Sequence, residues 1–238
     1  MASDISSLGV AMNITESVAD FILETRLDDV PGEAIIQAKR AILDTLGVAL
    51  AGSREEPSRI VLEFVQERGG RATASIVGAG LRTDCLSAAL VNGTMAHALD
   101  YDDVNDAMMG HPSAPLVPAV MALAQEVGAS GERALEAFLV GFEVECKLGL
   151  AVGHSHYVKG WHATSTLGTM GAAASAAKLL GLDKRCTQMA LGIAASMAGG
   201  MRQNFGTMTK PLHVGHAARS GLLAALLAQK GFTASADA

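Results

Sequence analysis

Residues 97–112 hold the densest group of side chains in this sequence that could carry out acid–base chemistry. Only 18% of the chain is charged, so such a density is unusual here. An imidazole beside a carboxylate has its tautomer and its proton affinity set near neutral pH. Gly110 and Pro112 flank His111 and break any helix there, which would hold that imidazole on a fixed turn. The group contains four aspartates and two histidines: Asp100, Asp102, Asp103, Asp106, His97 and His111.

Two further polar segments, residues 154–162 and 202–216, contain the other five histidines of the chain. If all three segments converge, they bring imidazoles, carboxylates and a lysine ammonium such as that of Lys210 together in an apolar surround. That set suits proton abstraction next to a carboxylate: a base takes the weakly acidic α-proton, a cation holds the carboxylate, and a second acid protonates a departing hydroxyl. The candidate side chains singled out in these two segments are His154, His156, His162, Arg202, Gln203, Asn204, Lys210, His213 and His216.

Helices must position these segments, because apolar residues recur at helical spacing through most of the chain. We predict an all-α fold, a single large helical domain over residues 1–238 with at most one short strand near 72–78. Thr15 is the expected cap of the first helix and Ser130 of the longest one. The predicted helices are 14–26, 31–51, 57–67, 84–99, 115–128 or 118–128, 131–152, 163–180, 184–198 and 211–229.

Composition excludes several classes of protein. Half of the residues are apolar but only 4% are aromatic, which favours close packing of helices through small side chains. The net charge is −6 and no basic stripe occurs, so nucleic acid is not an expected partner. Polar residues interrupt the apolar runs, so no membrane span is expected. The cysteines, Cys85, Cys146 and Cys186, form no C-x-x-C pair, which indicates a reduced, cytoplasmic protein.

Each candidate residue also has a plain structural interpretation. Asp102, Asp103 and Asp106 are typical of carboxylates that solvate a loop or cap a helix. His97 would be a packed residue at a helix end. His154 and His156 form His-x-His, but zinc needs three or four converging ligands, so no metal is expected. A dinucleotide-binding loop after Gly78-Ala-Gly80 is rejected, because position 83 is a threonine.

Five segments in this order resemble the MmgE/PrpD family, which includes 2-methylcitrate dehydratase, cis-aconitate decarboxylase and iminodisuccinate epimerase. The resemblance covers essentially the whole chain, and it is specific as a set, although any one segment alone would be weak. The segments are Asp-Thr-Leu-Gly-Val-Ala-Leu-Ala-Gly (44–52), Asn-Gly-Thr-Met-Ala-His-Ala-Leu-Asp-Tyr-Asp-Asp (92–103), Gly-His-Pro (110–112), Gly-Trp-His (160–162) and Phe-Gly-Thr-Met-Thr-Lys-Pro-Leu-His-Val-Gly (205–215).

The resemblance implies a helical domain, usually dimeric, with no metal or organic cofactor and a small polycarboxylate as substrate. It assigns the catalytic positions to Asp100, His111, His162 and Lys210. His111 and His162 would be the acid–base pair, Asp100 would orient an imidazole or contact substrate, and Lys210 would hold a substrate carboxylate. By its chemistry, Gln203 is a further candidate for substrate binding. Family members continue into a smaller α/β lid domain, and we expect this chain to stop before it.

The expected activity is that of a cofactor-independent hydro-lyase, most similar to 2-methylcitrate dehydratase of propionate metabolism. An amino-dicarboxylate epimerase and a cis-aconitate-type decarboxylase are alternatives, since both need a proton transfer next to a carboxylate. Val104 stands where the decarboxylase has a site threonine, which argues mildly against that alternative. Two other hypotheses are a catalytically incomplete helical fragment that only dimerises and a metal hydrolase built on the Asp/His group.

Overall fold

The computed structural model describes residues 13–237, and helices dominate this part of the chain. The prediction of an all-α fold is therefore confirmed. No helix among the described residues is long and apolar enough to cross a membrane. The helices are α1 Ile14–Glu24, α2 Gly32–Gly52, α3 Glu56–Arg68, α4 Cys85–His97, α5 Ser113–Val127, α6 Gly131–Val158, α7 Ala163–Leu180, α8 Lys184–Met197 and α9 Thr209–Gln229.

Side-chain caps define where several helices begin. Ser130 accepts a hydrogen bond from the Arg133 N–H and caps α6, as predicted. The predicted cap of α1, Thr15, was wrong. Asn13 caps this helix by accepting a hydrogen bond from the Glu16 N–H, and Thr15 lies inside the helix. Each cap satisfies a backbone N–H that has no partner within its helix.

A short hairpin interrupts the helices between α3 and α4. Strand β1, Ala74–Ile76, lies in the predicted strand, and the structure adds a second strand, β2, Leu81–Thr83. The two pair antiparallel, with Ala74 opposite Thr83. Gly78 and Gly80 both have positive φ in the connection. The glycine pair therefore makes a hairpin turn, which agrees with rejecting a dinucleotide-binding loop.

Small residues bring the central helices close together. A Cβ built on Gly215 in α9 would overlap the carbonyl oxygen of Leu90 in α4, and one built on Gly93 would lie 2.8 Å from the Gly215 Cα. A Cβ on Gly221 of α9 would lie 2.7 Å from the Thr169 carbonyl oxygen of α7. Close approach of α9 to both α4 and α7 therefore requires glycine at these positions.

This packing sets the ends of three helices that carry candidate residues. His97 is the last residue of α4, His162 precedes α7, and Lys210 is the second residue of α9. The largest difference from the predicted boundaries is at the end of α6, which continues to Val158 across a kink at Gly153, where φ is 61°. The first part of the predicted polar segment 154–162 is therefore helical.

Candidate active site

Backbone hydrogen bonds join the segment before α7 to the segment before α9. Trp161 and Met201 form an isolated antiparallel bridge. The His162 N–H donates to the Gly200 carbonyl at 2.9 Å, and the Arg202 N–H donates to the Gly160 carbonyl at 2.8 Å. These bonds hold the second and third polar segments side by side.

The first polar segment is fixed as a compact loop between α4 and α5. Asp103 accepts hydrogen bonds from the Ser113 N–H at 3.0 Å and from the Ser113 hydroxyl at 2.5 Å, which ties the loop to the first residue of α5. The His111 N–H donates to the Thr164 hydroxyl of α7 at 3.1 Å. Burial raises the pKa of Asp103 despite the bonds from Ser113. The Asp103 carboxylate therefore does not simply face solvent, because it holds the loop against the first residue of α5.

Asp100 and Lys210 form an ion pair, with the ammonium nitrogen 2.6 Å from the carboxylate Oδ1. Asp100 has a left-handed backbone with φ of 55°, a conformation that aspartate tolerates better than most residues. Partial burial alone would raise its pKa, but the hydrogen bond and charge of Lys210 outweigh burial and lower the pKa. Asp100 is therefore ionised at neutral pH.

Asp102 is a buried carboxylate in the same loop as Asp100, and it contacts two imidazoles. Its Oδ2 is 2.7 Å from the Nδ1 of His97 and 3.3 Å from the Nδ1 of His111. Because a carboxylate only accepts, the Nδ1 atom of His97 carries the proton in this contact. The side chains of His97 and Asp102 are both fully buried. Asp102 was expected to solvate a loop or cap a helix, and that prediction was wrong, because its buried carboxylate contacts two imidazoles.

The second imidazole nitrogens point towards Asp100. The Nε2 atoms of His97 and His111 lie 3.8 Å and 3.6 Å from the Asp100 Oδ1. His97 Nε2 is buried and has no hydrogen-bond partner. The two rings meet edge to face, with centroids 4.7 Å apart. His97 is packed at a helix end, as expected, but it is also part of the charged group.

His162 lies on the other side of His97 and is held as a neutral imidazole. Its Nδ1 is 3.1 Å from the Nδ1 of His213, so one of the two donates and the other accepts. Burial and the neighbouring histidines His97 and His213 lower the pKa of His162 to about 2. Burial also lowers the pKa of His213. His162 therefore cannot supply a proton as an imidazolium near neutral pH in this state.

The four predicted catalytic residues lie in one connected group, although not all of them touch. Asp100 contacts Lys210 and lies near His111, whereas His162 reaches the group through His97, at a ring separation of 5.7 Å. The Phe205 ring lies against His162, at 4.8 Å, and the Lys210 ammonium is 5.3 Å from that ring.

The other predicted binding residue, Gln203, lies on a short 3₁₀ helix, Arg202–Asn204, and is exposed. Arg202 donates to the Tyr157 carbonyl at 2.8 Å and lies over the Tyr157 ring. The group thus consists of the four predicted residues plus His97 and Asp102, which sequence reasoning assigned plain structural roles. The available signal was a histidine at the predicted C-terminal end of a helix with an aspartate five positions later.

Among the described residues, four members of this group are spaced closely enough to bind a metal ion. His97, Asp100, Asp102 and His111 each offer a ligand atom, and these atoms lie within 4.8 Å of one another. The Lys210 ammonium already supplies a positive charge to Asp100, which competes with any cation there. A His-x-His metal site is not formed, since His154 Nδ1 faces the Met109 sulfur and His156 Nε2 faces the Thr166 hydroxyl.

Comparison with known proteins gives consistent matches over nearly the whole chain. A family model described as the MmgE/PrpD N-terminal domain matches residues 16–238. Cis-aconitate decarboxylase of Homo sapiens is 37% identical over 225 residues, which are 92% of this chain and 47% of the relative. The enzyme of the same name from Mus musculus is 35% identical over 225 residues, 92% of this chain and 46% of the relative. Cis-aconitate decarboxylase of Aspergillus terreus is 30% identical over 228 residues, which are 93% of this chain and 46% of the relative. The chain thus spans about half the length of these relatives.

Proposed function

The chain belongs to the MmgE/PrpD family, and from this premise we propose that it forms the helical part of a lyase that decarboxylates an unsaturated tricarboxylate of the cis-aconitate type. The names of the relatives support the alternative activity, the decarboxylase, better than the expected 2-methylcitrate dehydratase. The observation that carries the proposal is the Lys210–Asp100 ion pair beside two imidazoles.

Decarboxylation places a clear demand on the site. The bond between carbon and the departing carboxylate breaks, carbon dioxide leaves, and the electron pair passes through the adjacent alkene to a carbon atom. That carbon must take up one proton, so each turnover consumes one proton from an acid in the site. The remaining carboxylates need a cation that holds them while the charge moves.

Lys210 is the proposed binder of a substrate carboxylate. Its side chain is 17% exposed, and its present partner, Asp100, is 56% exposed, so the ion pair faces solvent through the aspartate. A substrate carboxylate can replace Asp100 at the ammonium because both offer the same acceptor atoms. Asp100 then no longer pairs with Lys210, and its carboxylate remains beside the two imidazoles.

His111 is the proposed acid. Its ring is 17% exposed, so it can reach a substrate, and its Nε2 and Nδ1 atoms lie 3.6 Å and 3.3 Å from the carboxylates of Asp100 and Asp102. His162 differs, because its lowered pKa keeps it neutral. We therefore assign His162 a hydrogen bond to substrate, and we assign proton donation to His111.

A hydro-lyase acting on a 2-methylcitrate-like hydroxy acid is the second candidate, and Val104 favours it. This residue stands where the resemblance places a site threonine in the decarboxylase. Loss of water would use the same carboxylate binder and would also need a proton for the departing hydroxyl. Loss of water needs in addition a base that takes the α-proton, and identification of the products separates the two reactions directly.

The test is to incubate the protein in its complete natural length with cis-aconitate and, separately, with 2-methylcitrate. We expect release of one carbon dioxide per cis-aconitate consumed, measured by a coupled bicarbonate assay. New alkene absorbance from 2-methylcitrate with no carbon dioxide from cis-aconitate would favour the hydro-lyase. Deuterium entering a recovered amino-dicarboxylate with neither product would favour the epimerase. The dimer, the cytoplasmic location and the lack of a cofactor stay predictions.

A further inference from the structure

The Nε2 atoms of His97 and His111 converge on one oxygen of Asp100. The Nε2 of His97 lies 3.8 Å from the Asp100 Oδ1, and the Nε2 of His111 lies 3.6 Å from the same atom. Neighbouring ligand atoms in a tetrahedral zinc site are about 3.4 Å apart, since each zinc bond is about 2.0–2.1 Å long. The Asp100 side chain is 56% exposed, so that carboxylate is free to make the small remaining adjustment. These three atoms therefore have the spacing of three zinc ligands.

The other nitrogen of each ring is held as it is in histidine metal sites. The Nδ1 atoms of His97 and His111 lie 2.7 Å and 3.3 Å from the Oδ2 of Asp102. A carboxylate that accepts from Nδ1 fixes the imidazole with its Nε2 lone pair available to a metal, and it strengthens the imidazole as a ligand. Asp102 contacts both imidazoles in this way, and its side chain is fully buried. The group thus contains two histidine ligands, one carboxylate ligand and a shared carboxylate behind the histidines.

The Nε2 atom of His97 is an independent sign of a ligand. Among the described residues this atom has no hydrogen-bond partner, although the His97 side chain is fully buried. The Asp100 Oδ1, at 3.8 Å, is too far away for a hydrogen bond. A buried polar atom without a partner costs free energy, and nearly all such atoms in folded proteins have one. A metal ion bonded to Nε2 would satisfy this atom.

Lys210 binds the same carboxylate oxygen that a metal ion would need. Its ammonium nitrogen lies 2.6 Å from the Asp100 Oδ1, on which both Nε2 atoms converge. Two cations on one oxygen repel each other strongly at such distances. A metal ion therefore binds only when Lys210 leaves Asp100. A substrate carboxylate that takes Lys210 frees Asp100 in the same way, so metal and substrate do not exclude each other at this oxygen.

We propose that His97, His111 and Asp100 form a zinc-binding site in which the metal displaces Lys210, and that zinc bound there inhibits the reaction by taking the Nε2 of His111. Binding of the metal rests on the geometry alone, whereas inhibition rests on the proposed function. Two imidazole nitrogens and one carboxylate oxygen, with water as a fourth ligand, are a donor set typical of tetrahedral zinc. Zinc bound to His111 occupies the atom that the proposed reaction uses to donate its proton.

The other histidines of the chain do not form an equivalent set. Within residues 13–237, no second group of three or more His, Cys, Asp or Glu side chains brings its ligand atoms this close together. The Nδ1 atoms of His162 and His213 already face each other at 3.1 Å. His154 and His156 are adjacent on the kinked end of α6 but have separate partners, so they provide the control for binding to ordinary surface histidines.

Metal binding can be tested on this chain without any activity. Zn²⁺ is titrated in competition with a chromophoric chelator, and Co²⁺ serves as its spectroscopic substitute. Cys186→Ser is the background for both titrations, because Cys186 is the least buried thiol and thiolates bind both metals. We expect one Zn²⁺ per chain and the intense visible absorption of four-coordinate Co²⁺. No stoichiometric Zn²⁺, or only the weak absorption of octahedral Co²⁺, would overturn the proposal.

Lys210→Met distinguishes this site from adventitious binding. It removes the competing cation and keeps every ligand, so the affinity for Zn²⁺ should rise about 10- to 100-fold. Asp100→Asn and His111→Asn each remove a ligand and should lower the affinity about 100-fold or more. The double variant His154→Asn/His156→Asn should bind Zn²⁺ like the background protein. Unchanged or weaker binding in a folded Lys210→Met, or loss of binding in the double variant, would overturn the proposal.

Inhibition is tested in the complete protein with cis-aconitate, at free Zn²⁺ concentrations held constant by a metal buffer because tricarboxylates bind zinc. Zn²⁺ should lower kcat without raising KM, since the substrate binds Lys210 while the metal takes His111. Excess chelator should restore the rate. A rise in KM with kcat unchanged, or a rate that increases with Zn²⁺, would overturn the inhibitory role.

These measurements separate the metal site from the proposed function. If metal-free wild-type protein shows no decarboxylation while Zn²⁺ binds and the variants change its affinity as expected, the proposed function fails and the metal site stands. If decarboxylation is seen while Zn²⁺ neither binds nor inhibits, the metal site fails and the proposed function stands.

Discussion

The Lys210 ammonium lies 2.6 Å from the Asp100 carboxylate and joins the start of α9 to the loop that follows α4. The same two helices are in backbone contact through Gly93 and Gly215. The ion pair therefore joins two elements whose helices already pack closely against each other at these glycines. The predictions below test this arrangement and the charges around it.

Lys210→Met should weaken the binding of cis-aconitate by about 10- to 100-fold, because one charge-assisted hydrogen bond to a carboxylate is lost. Isothermal calorimetry on the chain measures this directly. Lys230→Met, at an exposed lysine just past the end of α9, is the matched control and should bind like the wild type. Equal affinity of the Lys210 and Lys230 variants would show that Lys210 does not hold the substrate.

The neutral state of His162 predicts a loss of stability in acid. Its pKa is lowered from 6.5 to about 2 in the folded protein, so between these values the unfolded chain binds a proton that the folded protein does not. The free energy of unfolding therefore falls as pH drops below 6.5, by about 1.4 kcal/mol per pH unit from this residue.

His162→Asn removes that contribution, so the variant should lose less stability than the wild type between pH 6.5 and pH 4.5. Urea denaturation at several pH values gives the two slopes. His154→Asn, at an exposed histidine on the kinked end of α6, should keep the wild-type slope. Identical slopes for wild type and His162→Asn would contradict the burial of an uncharged imidazole.

Glu145 predicts the opposite dependence on pH. Burial raises its pKa well above 4.5, and neither carboxyl oxygen has a hydrogen-bond partner. The folded protein keeps the proton that the unfolded chain loses above pH 4.5, so the stability present below that pH is lost as pH rises towards the raised pKa. The expected slope from this residue is about −1.4 kcal/mol per pH unit.

Glu145→Gln removes the ionisable group and should make the protein more stable than the wild type at pH 8, with a smaller difference at pH 5. The matched control is Glu143→Gln on the same helix, where the glutamate is half-exposed and pairs with Lys147. That control should leave the slope of stability against pH unchanged. A difference between wild type and Glu145→Gln that is constant from pH 5 to pH 8 would mean that Glu145 is ionised when folded.

Gly215→Ala should destabilise the protein by about 1–3 kcal/mol, because its Cβ would overlap the Leu90 carbonyl and force α4 and α9 apart. Gly47→Ala is the matched control, since that helical glycine has open space around an added Cβ. It should raise stability by about 0.5–1 kcal/mol through helix propensity alone. Thermal unfolding measures both, and equal effects would rule out close packing at Gly215.

The amino-acid sequence by itself predicted the helices and the types of residue that carry the chemistry. The spacing of apolar residues, the capping side chains and the helix-breaking residues are all local signals. The ends of α7 and α8 were therefore predicted to within one residue, and Ser130 was identified as a cap. The short strand Leu81–Thr83 was missed, because three residues show no reliable alternation and the strand depends on pairing with β1.

The tertiary structure alone decided the partners of each site residue and the charge states of Asp100 and His162. Asp102 and His97 were read as ordinary loop and helix-end residues, yet they are buried together at 2.7 Å. His162 was predicted to be half of an acid–base pair, and its neutrality comes from burial and from imidazoles over 50 positions away along the chain. Burial and charge at a residue depend on which distant segments pack around it, and a local pattern in the sequence does not contain that information.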